Sequence, residues 1–102
     1  EQCRVMMLNT RSMLLAEKQL SVGTVNASLI SAREIFLEAL KCQAVYIILI
    51  HNHPSGDPHP SREDILLTKR VWEAGELIGI SLLDHIIIGD RSYVSLREEN
   101  LM

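Results

Sequence analysis

Residues 44–54 read Ala44-Val45-Tyr46-Ile47-Ile48-Leu49-Ile50-His51-Asn52-His53-Pro54, an unbroken apolar run that stops on two histidines and a proline. A short run rich in Ile, Val and Tyr suits a strand buried on both faces in the middle of a sheet. Working outward, Ser31-Ala32-Arg33-Glu34 is a capping-box pattern that opens a helix with Ile35, Phe36, Ala39 and Leu40 on one stripe, ending near Cys42. On the other side, residues 54–60 hold three prolines and a glycine and read as a loop. Ser61 then opens a second helix whose stripe is Leu67, Val71, Ala74 and Ile78, with Gly79 as its stop. At the start, residues 4–8 and 13–22 read as strands joined by the turn Asn9-Thr10-Arg11-Ser12, and a polar link follows Gly23. Residues 82–88 and 93–96 read as a hairpin around Gly89-Asp90-Arg91-Ser92. The order ββαβαββ predicts a mixed-sheet α/β domain.

The length of 102 residues suits one domain spanning 1–102, and folding it can bury roughly two-thirds of the surface that the unfolded chain exposes. Because the chain starts at Glu1 rather than Met and enters a strand-like run almost at once, it is expected to be the C-terminal part of a longer protein. Apolar residues at 47% and charged residues at 23% exclude disordered and fibrous classes. A net charge of −3 and only one Trp, two Tyr and one Phe give no support to direct nucleic-acid binding. Cys3 and Cys42 form no C-x-x-C and sit among apolar neighbours, so buried free thiols in a reducing, cytoplasmic compartment are expected. No run reaches the roughly 18 apolar residues of a membrane span. An exposed sheet edge leaves a homo-oligomer open.

Side chains alternate along a strand, so His51 and His53 project to the same side. Pro54 biases His53 toward extended backbone, and the turn-rich loop brings the first turn of the second helix, with Asp64, back beside the strand end. Two imidazoles and one carboxylate are three protein ligands, which leaves a tetrahedral Zn2+ one position for water. Such an ion makes hydroxide available at neutral pH, and a carboxylate near that water is needed to take its proton.

His51-Asn52-His53-Pro54, six residues, then Ser61-Arg62-Glu63-Asp64 is similar to the JAMM motif H-x-H-P-x6-S-x2-D at every defined position. The stretches His51-Asn52-His53-Pro54-Ser55-Gly56-Asp57-Pro58, Pro60-Ser61-Arg62-Glu63-Asp64 and Asp84-His85-Ile86-Ile87-Ile88-Gly89 further resemble the bacterial RadC family over essentially the whole chain. The resemblance implies a cytidine-deaminase-like (JAB/MPN) fold, with zinc held by His51, His53 and Asp64. It implies that Ser61 assists the bound water or the developing oxyanion. It also implies a metallopeptidase or isopeptidase activity on a peptide or protein whose identity is open. In the JAMM pattern the catalytic Glu precedes the first strand, which points to Glu1, with Glu17 in the second strand as fallback. His59 and Cys3 depart from the family pattern without touching the ligand set.

Simpler roles compete with several of these assignments. Ser61 and Asp64 also form a helix-capping signature. Asp84 and His85 are left open, His85 being either a contact near the site or a hydrogen-bonded sheet histidine. His59 and Glu63 read as solvated, and Trp72 as edge packing. The competing function is a non-catalytic interaction module in DNA repair or recombination with a structural or vestigial metal. An iron oxygenase shares the ligand set but usually sits in an all-β barrel. A zinc deaminase needs an H-x-E with P-C-x-x-C that this sequence lacks.

Overall fold

A computed structural model describes residues 2–22 and 29–102. Seven elements follow in the expected order: β1 (Gln2–Leu8), β2 (Leu14–Val22), α1 (Ala32–Lys41), β3 (Tyr46–Asn52), α2 (Arg62–Ile78), β4 (Ser81–Ile88) and β5 (Tyr93–Ser95). They form one five-stranded mixed sheet in the order β2-β1-β3-β4-β5. β3 is its middle strand, antiparallel to β1 and parallel to β4, with α2 as the crossover between the parallel pair. The polar link after Gly23 lies outside the described residues.

Local chemistry accounts for the boundaries. Asn9 closes the β1–β2 turn by accepting from the N–H groups of Arg11 and Met13. Ser31 and Ser61 cap the two helices with extended backbone and a side-chain oxygen on the third N–H. Gly79 ends α2 at φ +91°, a left-handed conformation that a side chain disfavours. Among the described residues no helix is long and apolar enough to cross a membrane.

One core forms, on one face of the sheet. Cys3, Val5, Met7, Ile47 and Leu49 point into it from the strands, Ile35, Phe36 and Ala39 from α1, and Leu67 and Val71 from α2. Because both helices feed this same cluster, the expectation that the central strand is buried on both faces is corrected. Burial alternates along β3, and Ile48 and Ile50 are only partly covered. The helical stripes are also shorter than expected. Leu40 and Ile78 lie in the last turns, beyond the core, and are exposed, while Gly75 is buried against the chain leaving α2. Both cysteines are thiols rather than disulfide partners, Cys3 buried and Cys42 only partly so.

Candidate metal centre

β3 delivers the two histidines. His51 faces inward, in line with Ile47 and Leu49, and is buried. His53 lies just past the strand end and meets the His51 ring edge to face, with centroids 5.1 Å apart. The loop beyond is pinned against β4 and the turn that follows it. His53 N–H donates to the Ile88 carbonyl (2.9 Å), Gly56 N–H to the His53 carbonyl (3.0 Å) and Asp90 N–H to the Gly56 carbonyl (2.7 Å). Gly89 makes this approach possible, since a Cβ there would lie 2.3 Å from the Gly56 carbonyl oxygen.

α2 delivers the carboxylate. Ser61 and Asp64 form a complete capping box: the Asp64 N–H donates to Ser61 Oγ (3.1 Å) and the Ser61 N–H donates to Asp64 Oδ2 (2.8 Å). The box fixes the Asp64 rotamer while the carboxylate points at the histidines. Oδ1 lies 3.2 Å from His51 Nδ1 and Oδ2 lies 3.0 Å from His53 Nε2. Burial penalises the charged carboxylate, but the His51 imidazole and the two Ser61 contacts outweigh it and hold Asp64 well below the usual carboxylate range.

The protonation pattern tests whether these residues suit a metal ion. His53 Nδ1 sits 2.9 Å from the Asp57 carbonyl oxygen, which can only accept, so Nδ1 carries the hydrogen. In the neutral imidazole Nε2 is then a lone pair, and it faces a carboxylate oxygen at 3.0 Å. Two electron-pair donors at that distance repel unless a proton or a metal cation lies between them. Asp64 Oδ1 is moreover buried and faces His51 Nδ1 at 3.2 Å. Donors around one tetrahedral zinc at about 2.1 Å are about 3.4 Å apart, and each histidine nitrogen lies at a similar distance, 3.2 and 3.0 Å, from a different oxygen of the Asp64 carboxylate. One ligand atom from each of His51, His53 and Asp64 fits within 4.8 Å of the others. A carbonyl that fixes the tautomer of a ligating histidine is a recurring feature of metal sites.

The other sequence-derived candidates fall as follows. Ser61 is exposed beside Asp64, and because its oxygen accepts in the cap, its own hydrogen remains available to donate. Glu1 lies outside the described residues. Glu17, the fallback base, is corrected: it stands directly opposite Met6 and pairs with Arg4. Directly opposed residues share a face, and Met6 alternates with the inward Val5 and Met7, so Glu17 is on the face away from His51. His59 is exposed and pairs with Asp57, whose carboxyl it holds below the ordinary range. Glu63 and Trp72 are exposed, as expected.

Asp84 joins β4 to the chain after β5, accepting from the His85 N–H (2.7 Å), the Arg97 N–H (3.1 Å) and the Ser95 hydroxyl (2.6 Å). His85 is buried on the core side, 2.6 Å from the Thr68 hydroxyl. Three contributors escaped the sequence reading: the Asp57 carbonyl, Thr68 and Gly89. A backbone carbonyl has no side-chain signature. Thr68 did leave one, as a polar residue one turn after Asp64 and next to the apolar Leu67.

A family model described as the RadC-like JAB domain matches residues 1–101. Among curated proteins, the chain is 55% identical over 97 residues to a UPF0758 protein of Desulforamulus reducens, a match covering 95% of this chain and 43% of that protein. It is 49% identical over 102 residues to one of Clostridium novyi, covering all of this chain and 45% of that protein. Against one of Alkaliphilus metalliredigens the identity is 52% over 102 residues, covering all of this chain and 44% of that protein. The chain thus spans less than half the length of these relatives.

Proposed function

Since the chain belongs to the family of RadC-like JAB domains, we propose that it is a zinc-dependent hydrolase of the JAMM type, a metallopeptidase or isopeptidase acting on an amide bond of a peptide or protein. The observation that carries this reading is the convergence of His53 Nε2 and the Asp64 carboxylate at 3.0 Å, with His53 Nδ1 held by the Asp57 carbonyl. His51, His53 and Asp64 hold the ion, which when bound lowers the pKa of a coordinated water toward about 7 and polarises a substrate carbonyl.

The remaining roles belong to the chain itself. Asp57 orients His53 through its carbonyl, and the capping box keeps Asp64 ionised and aimed. Ser61, whose oxygen is engaged by the Asp64 N–H, donates its hydroxyl hydrogen toward the water or the oxyanion. Glu1 accepts the proton of the attacking water and returns it to the leaving amine.

Elemental analysis tests the reading, with wild type compared at equal folded concentration with His53→Ala and with Asp64→Asn, which keeps an acceptor for the cap. About one zinc per chain is expected in wild type and a large loss in both variants. Zinc missing from wild type, or retained in both variants, refutes it.

One observation favours a second reading, an interaction module with a structural metal site: the capping box is complete among protein atoms alone. That reading takes over if zinc-loaded protein cleaves no member of a broad peptide library while ligand substitutions unfold the chain.

A further inference from the structure

Behind the metal centre lies a buried polar pair that the proposed reaction does not use. Thr68 sits one turn after Asp64 on α2, and its hydroxyl donates to the Asp64 carbonyl (2.8 Å). That hydroxyl hydrogen being engaged, His85 Nδ1 donates to Thr68 Oγ1 across the 2.6 Å contact from β4. The His85 ring also stacks on that of His51, with centroids 6.0 Å apart and planes inclined by 27°. One imidazole therefore touches the supports of two of the three ligands, the backbone of Asp64 through Thr68 and the ring of His51 directly.

Core packing alone does not account for a histidine here. His85 and Thr68 are both fully buried, and His85 Nε2 has no hydrogen-bond partner among the described residues. Burying an unsatisfied ring nitrogen costs free energy that a phenylalanine at this position would avoid. What the imidazole adds is a directed bond joining β4 to the first turns of α2, the segment whose placement sets the Asp64 carboxylate. Metal ligands need support of this kind to stay within a fraction of an ångström of the binding geometry.

We propose that His85 is a positioning residue of the metal centre, acting through Thr68 on Asp64 and by stacking on His51. This rests on the metal-centre reading above. The test measures zinc affinity by chelator competition, the visible absorption spectrum of the cobalt(II) form, and the thermal midpoint of the metal-free chain. These are taken for wild type, Thr68→Val, Thr68→Ser and His85→Phe.

Thr68→Val and His85→Phe are expected to bind zinc about 10- to 100-fold more weakly, with altered cobalt spectra. Thr68→Ser, which restores the hydroxyl, is expected to stay within about threefold of wild type. The metal-free midpoint of His85→Phe is expected to equal or exceed that of wild type, so the affinity loss is not general destabilisation. Wild-type zinc affinity in both Thr68→Val and His85→Phe overturns the inference and leaves the metal centre standing. If wild type binds no zinc, the metal-centre reading itself falls, and the inference with it. Should His85→Phe fail to fold, the contrast between Thr68→Val and Thr68→Ser decides.

Discussion

At the end of β3, His53 has a defined job for each ring nitrogen: Nδ1–H to the Asp57 carbonyl and Nε2 toward Asp64. The spacing of His51, His53 and Asp64 made the convergence legible in the sequence. The tautomer was not legible, because it depends on a backbone oxygen placed by the loop. His85 offers a test at this scale. Burial pushes its imidazole down to about 4 from an ordinary 6.5, against the pull of the Asp64 carboxylate. The unfolded chain therefore binds the His85 proton more readily than the folded one. This group's share of stability is intact above about pH 6.5 and is lost as pH falls toward about 4, by roughly 3 kcal/mol in all. Asp64 is displaced in the same direction, so its share is likewise present above the unfolded carboxylate value and is lost only in stronger acid. Urea denaturation of metal-free protein at about pH 7.5 and about pH 5 should show roughly 2 kcal/mol less of this loss in His85→Phe than in wild type. Equal slopes for the two proteins would show that His85 does not carry this loss.

Among the elements, the loop of residues 54–60 and the turn after β4 act as one unit, because Gly89 has no side chain to separate them. Gly89→Ala should destabilise the fold by about 1–3 kcal/mol through overpacking and should also weaken zinc binding, since His53 hangs from the same contact. Denaturation and chelator titration of this variant check both effects, and an unchanged zinc affinity would mean that the turn does not steady the ligand loop. The glycine was read from the sequence only as a turn residue, because its reason for being there is a chain segment some thirty residues earlier. Both helix caps, the Gly79 stop and the order of elements were legible, since each rests on local chemistry. Leu40 and Ile78 were misplaced because periodicity marks a stripe but not where the core beneath it ends.

For the molecule as a whole, the decisive fact is that both helices pack on the same side of the sheet. A continuous apolar strand reads as buried on both faces, and nothing in residues 44–50 distinguishes that case from a strand with one half-open face. Neighbours on β3 supply the contrast. Leu49→Ala, in the core, should cost about 3 kcal/mol, and Ile50→Ala, on the open face, less than about 1.5 kcal/mol. Paired denaturation curves check it, and equal losses would mean that the outer face is buried as deeply as the core.

The ligands also come from two separate elements. His51 and His53 sit at the end of β3 and Asp64 at the start of α2, with residues 54–60 strung between them. A bridging cation would close that stretch into a ring, and a closed ring has fewer open excursions through which a protease can seize its backbone. The time course of nicking within residues 54–60 should therefore slow when zinc is added and quicken with a chelator, so a timed digest would report occupancy of the centre before any substrate is known.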